Sequence, residues 1–137
     1  MDRTAIGRMV PSSGDGRKPA WMPIEAHYPT EVYERLVLTR RGGDVEAAAR
    51  AGNEFENSIL GAAAAMRQKY AGVSGLADVA IMFLPVEGLY AEVLQRPALC
   101  QSLHRDYRVL VASPGTLDGL LADTRTHNQS SAPKFRP

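Results

Sequence analysis

The pattern of apolar and polar positions predicts an alternating strand over residues 21–29, WMPIEAHYP. Side chains of a strand point to its two faces in turn. One face is apolar and consists of Met22, Ile24, Ala26 and Tyr28. The other face carries the polar groups and consists of Trp21, Pro23, Glu25 and His27. A short apolar run near Val10 predicts an earlier strand, which would form a hairpin with this one across the turn-rich residues 11–19.

Two consecutive helices are predicted next. The first begins with an N-cap at Thr30 and ends at about Arg41, before two glycines. Asp44 caps a second, long helix that reaches about Tyr70. Apolar residues recur along this helix at spacings of three and four, at Ala48, Ala51, Phe55, Ile59, Ala63, Met66 and Tyr70. Such a stripe is typical of a helix that packs on a core.

Strands and helices alternate in the rest of the chain. The continuous apolar run over residues 78–85, DVAIMFLP, predicts a strand covered on both faces. Helices are predicted from Glu87 and from Pro97, a strand over residues 108–112, and a last helix directly after Ser113. The last three strands, joined by helices, are expected to be parallel. The fold class is therefore α/β, or α+β if the first hairpin is counted separately, with a mixed sheet flanked by helices.

Length and composition indicate one domain with an ordinary core. The chain has 137 residues, of which 45% are apolar. We assign residues 1–123 to this domain and expect residues 124–137, which are polar and aperiodic, to be disordered. Charged residues make up 23% and sum to a net charge of +1, so no strong overall field attracts nucleic acid. Any contact with a phosphate would come from a local cluster.

The cellular compartment of the protein is inferred from its cysteine content and from its lack of targeting signals. Cys100 is the single cysteine of the chain, which excludes an internal disulfide and fits a reducing compartment. No apolar run approaches the roughly 20 residues that a membrane-spanning helix needs. The N-terminus lacks the pattern of a secretory signal. We therefore expect a cytoplasmic protein without a membrane partner.

Two pairs of residues are candidates for chemistry. Glu25 and His27 lie two residues apart on one face of a predicted strand, where a carboxylate and a basic group could hold a divalent cation and a water. The alternative is an ordinary half-exposed strand. Arg40 and Arg41 end the first helix, where cations suit the helix dipole, or they contact a phosphate. Spacing alone leaves both alternatives open.

Several blocks of the sequence carry a resemblance to a known family. They are residues 22–29 (MPIEAHYP), 33–36 (YERL), 69–70 (KY), 78–94 (DVAIMFLPVEGLYAEVL), 108–114 (RVLVASP) and 116–117 (TL). In this order and at these spacings they resemble the RmuC family of bacterial DNA recombination proteins. The resemblance covers about residues 20 to 121.

The resemblance implies a restriction-endonuclease-like core of the PD-(D/E)xK class, with DNA as the partner. In that class an upstream acid, a second acid and a lysine two residues later build a site for Mg²⁺ or Mn²⁺. The family form of the first block is Pro-Ile-Asp-Ala-Lys-Phe-Pro, so Glu25 matches the metal-binding acid and His27 stands where the lysine is expected. Asp2 is the candidate upstream acid, with Asp15 a weaker one. A neutral His27 would act as a general base or a soft metal ligand.

Three further residues are candidates for the site, and only the first of them belongs to the blocks that carry the resemblance. Glu87 follows the buried strand within the most specific block, and it would bind the metal at the strand ends. Its alternative role is to stabilise the N-terminus of a helix. Arg40 and Arg41 are the candidate DNA-binding residues.

Three functions are compatible with the sequence. The first is a DNA recombination protein with metal-dependent deoxyribonuclease activity, catalysed by Glu25 and His27. The second is a non-catalytic DNA-binding or scaffolding module of the same family, and the third is a small α/β module that binds a metabolite. Family members are longer than this chain, so we expect a partial core whose exposed apolar surface would promote homo-oligomers.

Overall fold

Four strands form one mixed sheet in the computed structural model, which describes residues 8–11 and 20–122. The strands are β1 (Arg8–Pro11), β2 (Trp21–Ala26), β3 (Ala80–Phe83) and β4 (Val109–Ala112), adjacent in that order. β1 runs antiparallel to β2, whereas β2, β3 and β4 are mutually parallel. The predicted α/β class, the N-terminal hairpin and the three parallel strands are therefore confirmed.

The helices are α1 (Thr30–Gly42), α2 (Val45–Tyr70), α3 (Glu87–Leu94) and α4 (Pro97–Tyr107). A last helix begins at residue 117 and continues to residue 122, where the described part ends. α1 ends at Gly43, whose φ of 79° is left-handed and suits glycine. Asp44 caps α2 as predicted, accepting a hydrogen bond from the Ala47 N–H at 3.0 Å. Within the described residues, no helix is both long and apolar enough to cross a bilayer.

The core has two parts, one on each face of the sheet. Helices α1 to α4 pack on one face, around buried residues that include Leu36, Phe55, Ile59, Met66, Met82, Leu89 and Leu103. The last helix packs on the other face through Leu117, Leu120 and Leu121, which cover Met22, Ile81 and Ala112. Adjacent residues of β3, Ile81 and Met82, point into different parts of the core. This confirms that the apolar run is a central strand covered on both faces.

β2 keeps its predicted alternation of faces, but the face that carries Glu25 is buried rather than half-exposed. Pro23 and Glu25 are buried because α2 lies over their face, while Ala26 and Tyr28 are exposed at the end of the strand. The interpretation of this segment as an ordinary half-exposed strand is therefore wrong. Alternation shows which face of a strand is more polar, but it does not show whether a helix covers that face.

Some predicted ends shift by a few residues. Pro29 rather than Thr30 is the N-cap of α1, because the Pro29 carbonyl accepts the first helical hydrogen bond, from the Tyr33 N–H at 2.9 Å. The last helix begins at residue 117 rather than directly after Ser113, because residues 114–116 form a turn. These shifts leave the order and the packing of the elements unchanged.

Arg108 lies just before β4 rather than at its predicted first position. It caps the carboxyl end of α4, and its backbone N–H donates to the His104 carbonyl at 3.2 Å. Its φ of 56° is the only positive value at a non-glycine residue in the part of the chain that is described. A side chain disfavours this backbone region, so Arg108 occupies a strained position.

Large apolar side chains remain exposed in several elements, namely at Trp21, Tyr28, Leu38, Val45, Val73 and Leu94. Single exposed apolar residues are normal in monomers. Self-association through such surface stays a prediction. Residues 124–137, assigned to a disordered tail, lie outside the described residues.

Candidate functional site

The Glu25 carboxylate lies in the interior, beneath the carboxyl end of α2. β2 places Glu25 on the helix-covered face of the sheet, where the residue is 2% exposed. Lys69 donates from Nζ to Oε2 of Glu25 at 2.8 Å. The Tyr70 hydroxyl donates a short hydrogen bond to the same oxygen. A buried carboxylate needs such donors, because leaving it unpaired costs several kcal/mol (of the order of 3–5).

Lys69 and Tyr70 both belong to the last turn of α2. A cation at this end of a helix is stabilised by the helix dipole. The Lys69 ammonium also lies 5.4 Å from the centre of the Tyr70 ring, within the range of a cation–π contact. The apolar stripe predicts that Tyr70 faces the core. The contacts of Lys69 and Tyr70 with Glu25 were missed, because they join residues 44 and 45 positions apart in the chain.

His27 follows β2 and lies on the same side of the sheet as Glu25, as predicted. Its backbone N–H donates to the Phe83 carbonyl at 2.9 Å, which extends the pairing of β2 with β3. The imidazole Nε2 lies 3.5 Å from the Ser58 hydroxyl of α2. Burial lowers the pKa of His27 below 6.5, and a hydrogen bond with the Ser58 backbone opposes this only in part. The imidazole is therefore neutral at pH 7.

Glu25, His27 and Lys69 line one cavity of about 220 Å³ between β2 and α2. Ala62 and Ala65 of α2 line the same cavity. Their small side chains leave room beside the carboxylate that longer residues would fill. Lys69, which lines the cavity, keeps 40% of its side chain exposed, so solvent reaches this side of the cavity. A carboxylate, an ammonium and a neutral imidazole thus meet in one accessible space.

Glu87 lies elsewhere, in the first turn of α3. Its Oε2 accepts a hydrogen bond from the Gly115 backbone N–H at 2.7 Å. This bond joins the start of α3 to the turn after β4. Glu87 is not among the residues that line the cavity of Glu25. Its position is that of a carboxylate stabilising a helix N-terminus, the second of the two roles considered above.

Arg40 takes part in a network of ion pairs centred on Glu92. Its Nη1 and Nη2 donate to the two oxygens of Glu92, each at 2.7 Å. Arg96 also donates to Glu92, at 2.9 and 3.1 Å, and to Glu56 at 2.8 Å. The Arg40 hydrogen bonds are the main reason that the pKa of Glu92 lies below its usual value. Arg41 is exposed at the end of α1.

The remaining metal-ligand candidates lie outside the described residues. Asp2 and Asp15 belong to that part of the chain, so their assignment as upstream acids stays a prediction. Among residues 8–11 and 20–122, no group of three or more His, Cys, Asp or Glu side chains could hold a metal ion. Among the described residues that line the cavity, Glu25 is the only carboxylate.

The fold and the cavity define a class of protein: an α/β domain with a mixed sheet and a buried carboxylate paired with lysine. Comparison with known proteins gives the family. The family profile described as "RmuC family" matches residues 10–131, which is most of the chain. The chain belongs to the RmuC family, as the resemblance of its sequence blocks predicts.

Two curated relatives support this assignment. Each is a "DNA recombination protein RmuC homolog" of Xylella fastidiosa, one from strain Temecula1 / ATCC 700964 and one from strain 9a5c. Each is 42% identical to this chain over 112 residues, which is 82% of the chain and 25% of the relative. The chain thus spans about a quarter of the length of the curated relatives that it matches. No solved structure matches the chain significantly.

Proposed function

We propose that this chain acts on DNA in recombination and that the cavity of Glu25, His27 and Lys69 engages a phosphodiester for metal-dependent hydrolysis. The name of the relatives supports DNA as the substrate. The observation that carries the chemistry is the Lys69 ammonium, 2.8 Å from the Glu25 carboxylate in the same cavity. The family form has a lysine two residues after the acid, at the position of His27 in this chain. Here Lys69 of α2 places an ammonium beside the Glu25 carboxylate instead.

Glu25 fits one ligand of Mg²⁺ or Mn²⁺. Mg²⁺ sites that act on phosphates commonly use one or two carboxylates and complete the shell with waters and phosphate oxygens. A bound metal would supply an activated water for the displacement. Lys69 then has two tasks: it holds Glu25 in the free chain and stabilises negative charge on the phosphate in the complex. Because His27 is neutral at pH 7, its imidazole is able to accept the proton of the attacking water.

A restriction-endonuclease-like core is the fold that this proposal implies. A mixed sheet with helices on both faces is compatible with it. The location of the cavity also supports the proposal, because α/β sheets bind ligands at the carboxyl ends of their parallel strands. Glu25 and His27 lie at the carboxyl end of β2.

One observation favours a second function, a non-catalytic DNA-binding or scaffolding module. Glu25 is nearly inaccessible and is already bonded to Lys69 and Tyr70. Such an arrangement also stabilises a fold without any chemistry. If this is its only role, the site is degenerate and the histidine at position 27 has replaced a lysine that catalysis needs.

Cleavage of labelled single- and double-stranded DNA in the presence of Mn²⁺ separates the two functions. The variants are Glu25→Gln, Lys69→Gln and His27→Lys, with Glu34→Gln on the exposed side of α1 as the control for loss of a carboxylate. Catalysis predicts cleavage by the unmodified chain and by Glu34→Gln, and its loss in Glu25→Gln and Lys69→Gln. Cleavage that appears only in His27→Lys indicates a degenerate site on an intact scaffold.

DNA binding is measured on the same samples as a function of salt. Both DNA-directed functions predict an affinity that falls steeply with salt, because counterions are released when phosphates are neutralised. Binding of DNA without cleavage in any variant selects the scaffolding function. The absence of any salt-dependent binding contradicts both and leaves the metabolite-binding module.

A further inference from the structure

A second cleft, of about 300 Å³, lies where the last turn of α2, the loop over residues 71–79 and the start of β4 meet. Its lining includes Arg67, Asp78 and Arg108, together with the rings of Tyr70 and Tyr107. The cleft is adjacent to the Glu25 cavity. Met66 lines both spaces, and Tyr70 lines the cleft while donating to Glu25.

The charged groups of the cleft are loosely paired. Arg67 Nη1 lies 3.4 Å from one oxygen of Asp78, and Arg108 Nε lies 3.3 Å from the other. Both distances exceed the 2.7–2.9 Å that is usual when an ammonium or guanidinium group bonds a carboxylate. Asp78 is 73% exposed, so solvent competes for its oxygens. Two guanidinium groups thus share one weakly held carboxylate.

Arg108 is unusual in two independent respects. Its left-handed φ of 56° is strained for a residue with a side chain. Its Nε is buried, and in the described part of the chain it has no hydrogen-bond partner, since the nearby Asp78 oxygen does not form one. A buried donor without an acceptor destabilises the fold, and it requires an explanation. The explanation here is that the acceptor of the Arg108 Nε–H belongs to a ligand that the free chain has not bound.

We propose that Arg67 and Arg108 form a phosphate-binding subsite, in which the Asp78 carboxylate takes the place of the phosphate until a ligand displaces it. Planar guanidinium groups bind phosphate through paired N–H donors, and the unbonded Nε of Arg108 supplies one of them. The source of the phosphate rests on the proposed function. It is a backbone phosphate of the DNA strand whose neighbouring phosphodiester lies in the Glu25 cavity. A small phosphate compound has the same chemistry, and the test includes it.

The test compares matched charge changes inside and outside the cleft. Asp78→Asn removes the competing carboxylate, and Arg108→Gln and Arg67→Gln each remove one guanidinium. Asp106→Asn and Arg105→Gln make the same charge changes in an exposed pair on α4 that does not line the cleft. Replacing Arg108 could disturb its strained backbone. Arg67→Gln avoids this effect, because Arg67 is a partly exposed residue of the regular helix α2. Binding of a fluorescein-labelled DNA oligonucleotide is measured by anisotropy over a range of salt concentrations.

Displacement of Asp78 predicts that Asp78→Asn tightens DNA binding about fivefold, while Asp106→Asn changes it less than twofold. Arg108→Gln and Arg67→Gln are expected to weaken binding about tenfold and to lower the salt slope by about one phosphate contact each. Arg105→Gln leaves the slope unchanged. The proposal would be overturned if Asp78→Asn and Asp106→Asn changed the affinity for DNA equally and Arg108→Gln and Arg105→Gln also changed it equally.

Inorganic pyrophosphate separates failure of the subsite from failure of the proposed function. If no variant binds DNA, the proposed function is wrong. A rise in melting temperature with pyrophosphate that is larger in Asp78→Asn and absent in Arg108→Gln then supports a subsite for small phosphate compounds. If neither DNA nor pyrophosphate distinguishes the cleft variants from the α4 variants, the subsite does not exist.

Discussion

Two buried carboxylates, Glu25 of β2 and Glu92 of α3, are bonded in very different ways. Glu92 is 7% exposed and is held by Arg40 and Arg96 through four hydrogen bonds. Glu25 is 2% exposed and is held at one oxygen by Lys69 and Tyr70, beside a cavity. Burial alone therefore does not show how completely an acid is occupied by its partners in the fold.

The difference lies in the partners and in the space. Arginine forks fix both oxygens of Glu92 and join α1, α3 and the start of α4, so Glu92 has no freedom to bind anything else. Lysine is a flexible point charge, and Lys69 is 40% exposed. Its ammonium is able to leave Glu25 for a phosphate without unfolding its helix. We therefore regard Glu92 as structural and Glu25 as exchangeable.

The largest expected effect is on the structural acid. Glu92→Gln leaves the guanidinium groups of Arg40 and Arg96 without their carboxylate, and we expect the free energy of unfolding to fall by about 3 kcal/mol. Urea denaturation measures this change. Glu34→Gln, at an exposed position of α1, serves as the control and should change it by less than about 0.5 kcal/mol. A cost for Glu92→Gln that is no larger than the control's would show that the network is not structural.

A double-mutant cycle tests the exchangeable acid. Lys69→Met is expected to lower the free energy of unfolding by about 1 kcal/mol. This is less than the loss expected for a fully buried ion pair, because Lys69 is partly solvated in its pair with Glu25. Glu25→Gln should partly restore stability when combined with Lys69→Met, since the neutral amide no longer needs a cation. Urea denaturation of the two single variants and the double variant gives the coupling. Strict additivity of the two changes would contradict a direct interaction.

Glu87 distinguishes a metal-binding role from a structural one. We expect Glu87→Gln to lower stability by about 0.5–1 kcal/mol, because it weakens the bond to the Gly115 N–H and the interaction with the start of α3. Thermal denaturation measures the loss, and addition of Mn²⁺ tests the alternative. The variant should keep any stabilisation that Mn²⁺ gives the unmodified chain. Loss of that stabilisation would assign Glu87 to the metal site after all.

The smallest effect concerns pH and His27. Burial lowers the pKa of this imidazole in the folded chain below its ordinary 6.5. At a pH between the pKa of His27 in the folded chain and its value of 6.5 in the unfolded chain, the unfolded chain binds more protons. The free energy of unfolding therefore falls as the pH decreases below 6.5, and this loss is complete once the pH is below the pKa of the folded chain. His27→Gln should remove this contribution. Melting temperatures at pH 7.5 and pH 5.5 measure it, and an unchanged difference between them in the variant would contradict burial of a neutral imidazole.

The fold was largely predictable, because its signals are local. Periodicity placed α2 and its cap at Asp44, and the continuous apolar run identified β3 as a central strand. The parallel arrangement of β2, β3 and β4 followed from the helices that join them. The errors were at element ends, such as Thr30, where the first backbone hydrogen bond of the helix, accepted by the residue before it, sets the boundary.

The site was predictable only in part, because its contacts are long-range. The alternation of β2 placed Glu25 and His27 on one side, and the structure brings both to one cavity. The contact with Lys69 depends on where the end of α2 lies over β2, which no local pattern encodes. Arg40 was likewise not predictable from local pattern. Its place at a helix end predicts contact with solvent or with a phosphate, but tertiary packing brings its guanidinium to Glu92.

The most direct test of the exchangeable carboxylate is a titration with Mn²⁺, followed by electron paramagnetic resonance, in which free and bound ions are counted. The titration is run on the unmodified chain and on Glu25→Gln, with and without a DNA oligonucleotide. The account predicts one bound Mn²⁺ per chain, tighter with DNA because phosphate oxygens complete its shell, and none in Glu25→Gln. Equal binding by the two proteins, or no binding by either with DNA present, would contradict the role assigned to Glu25.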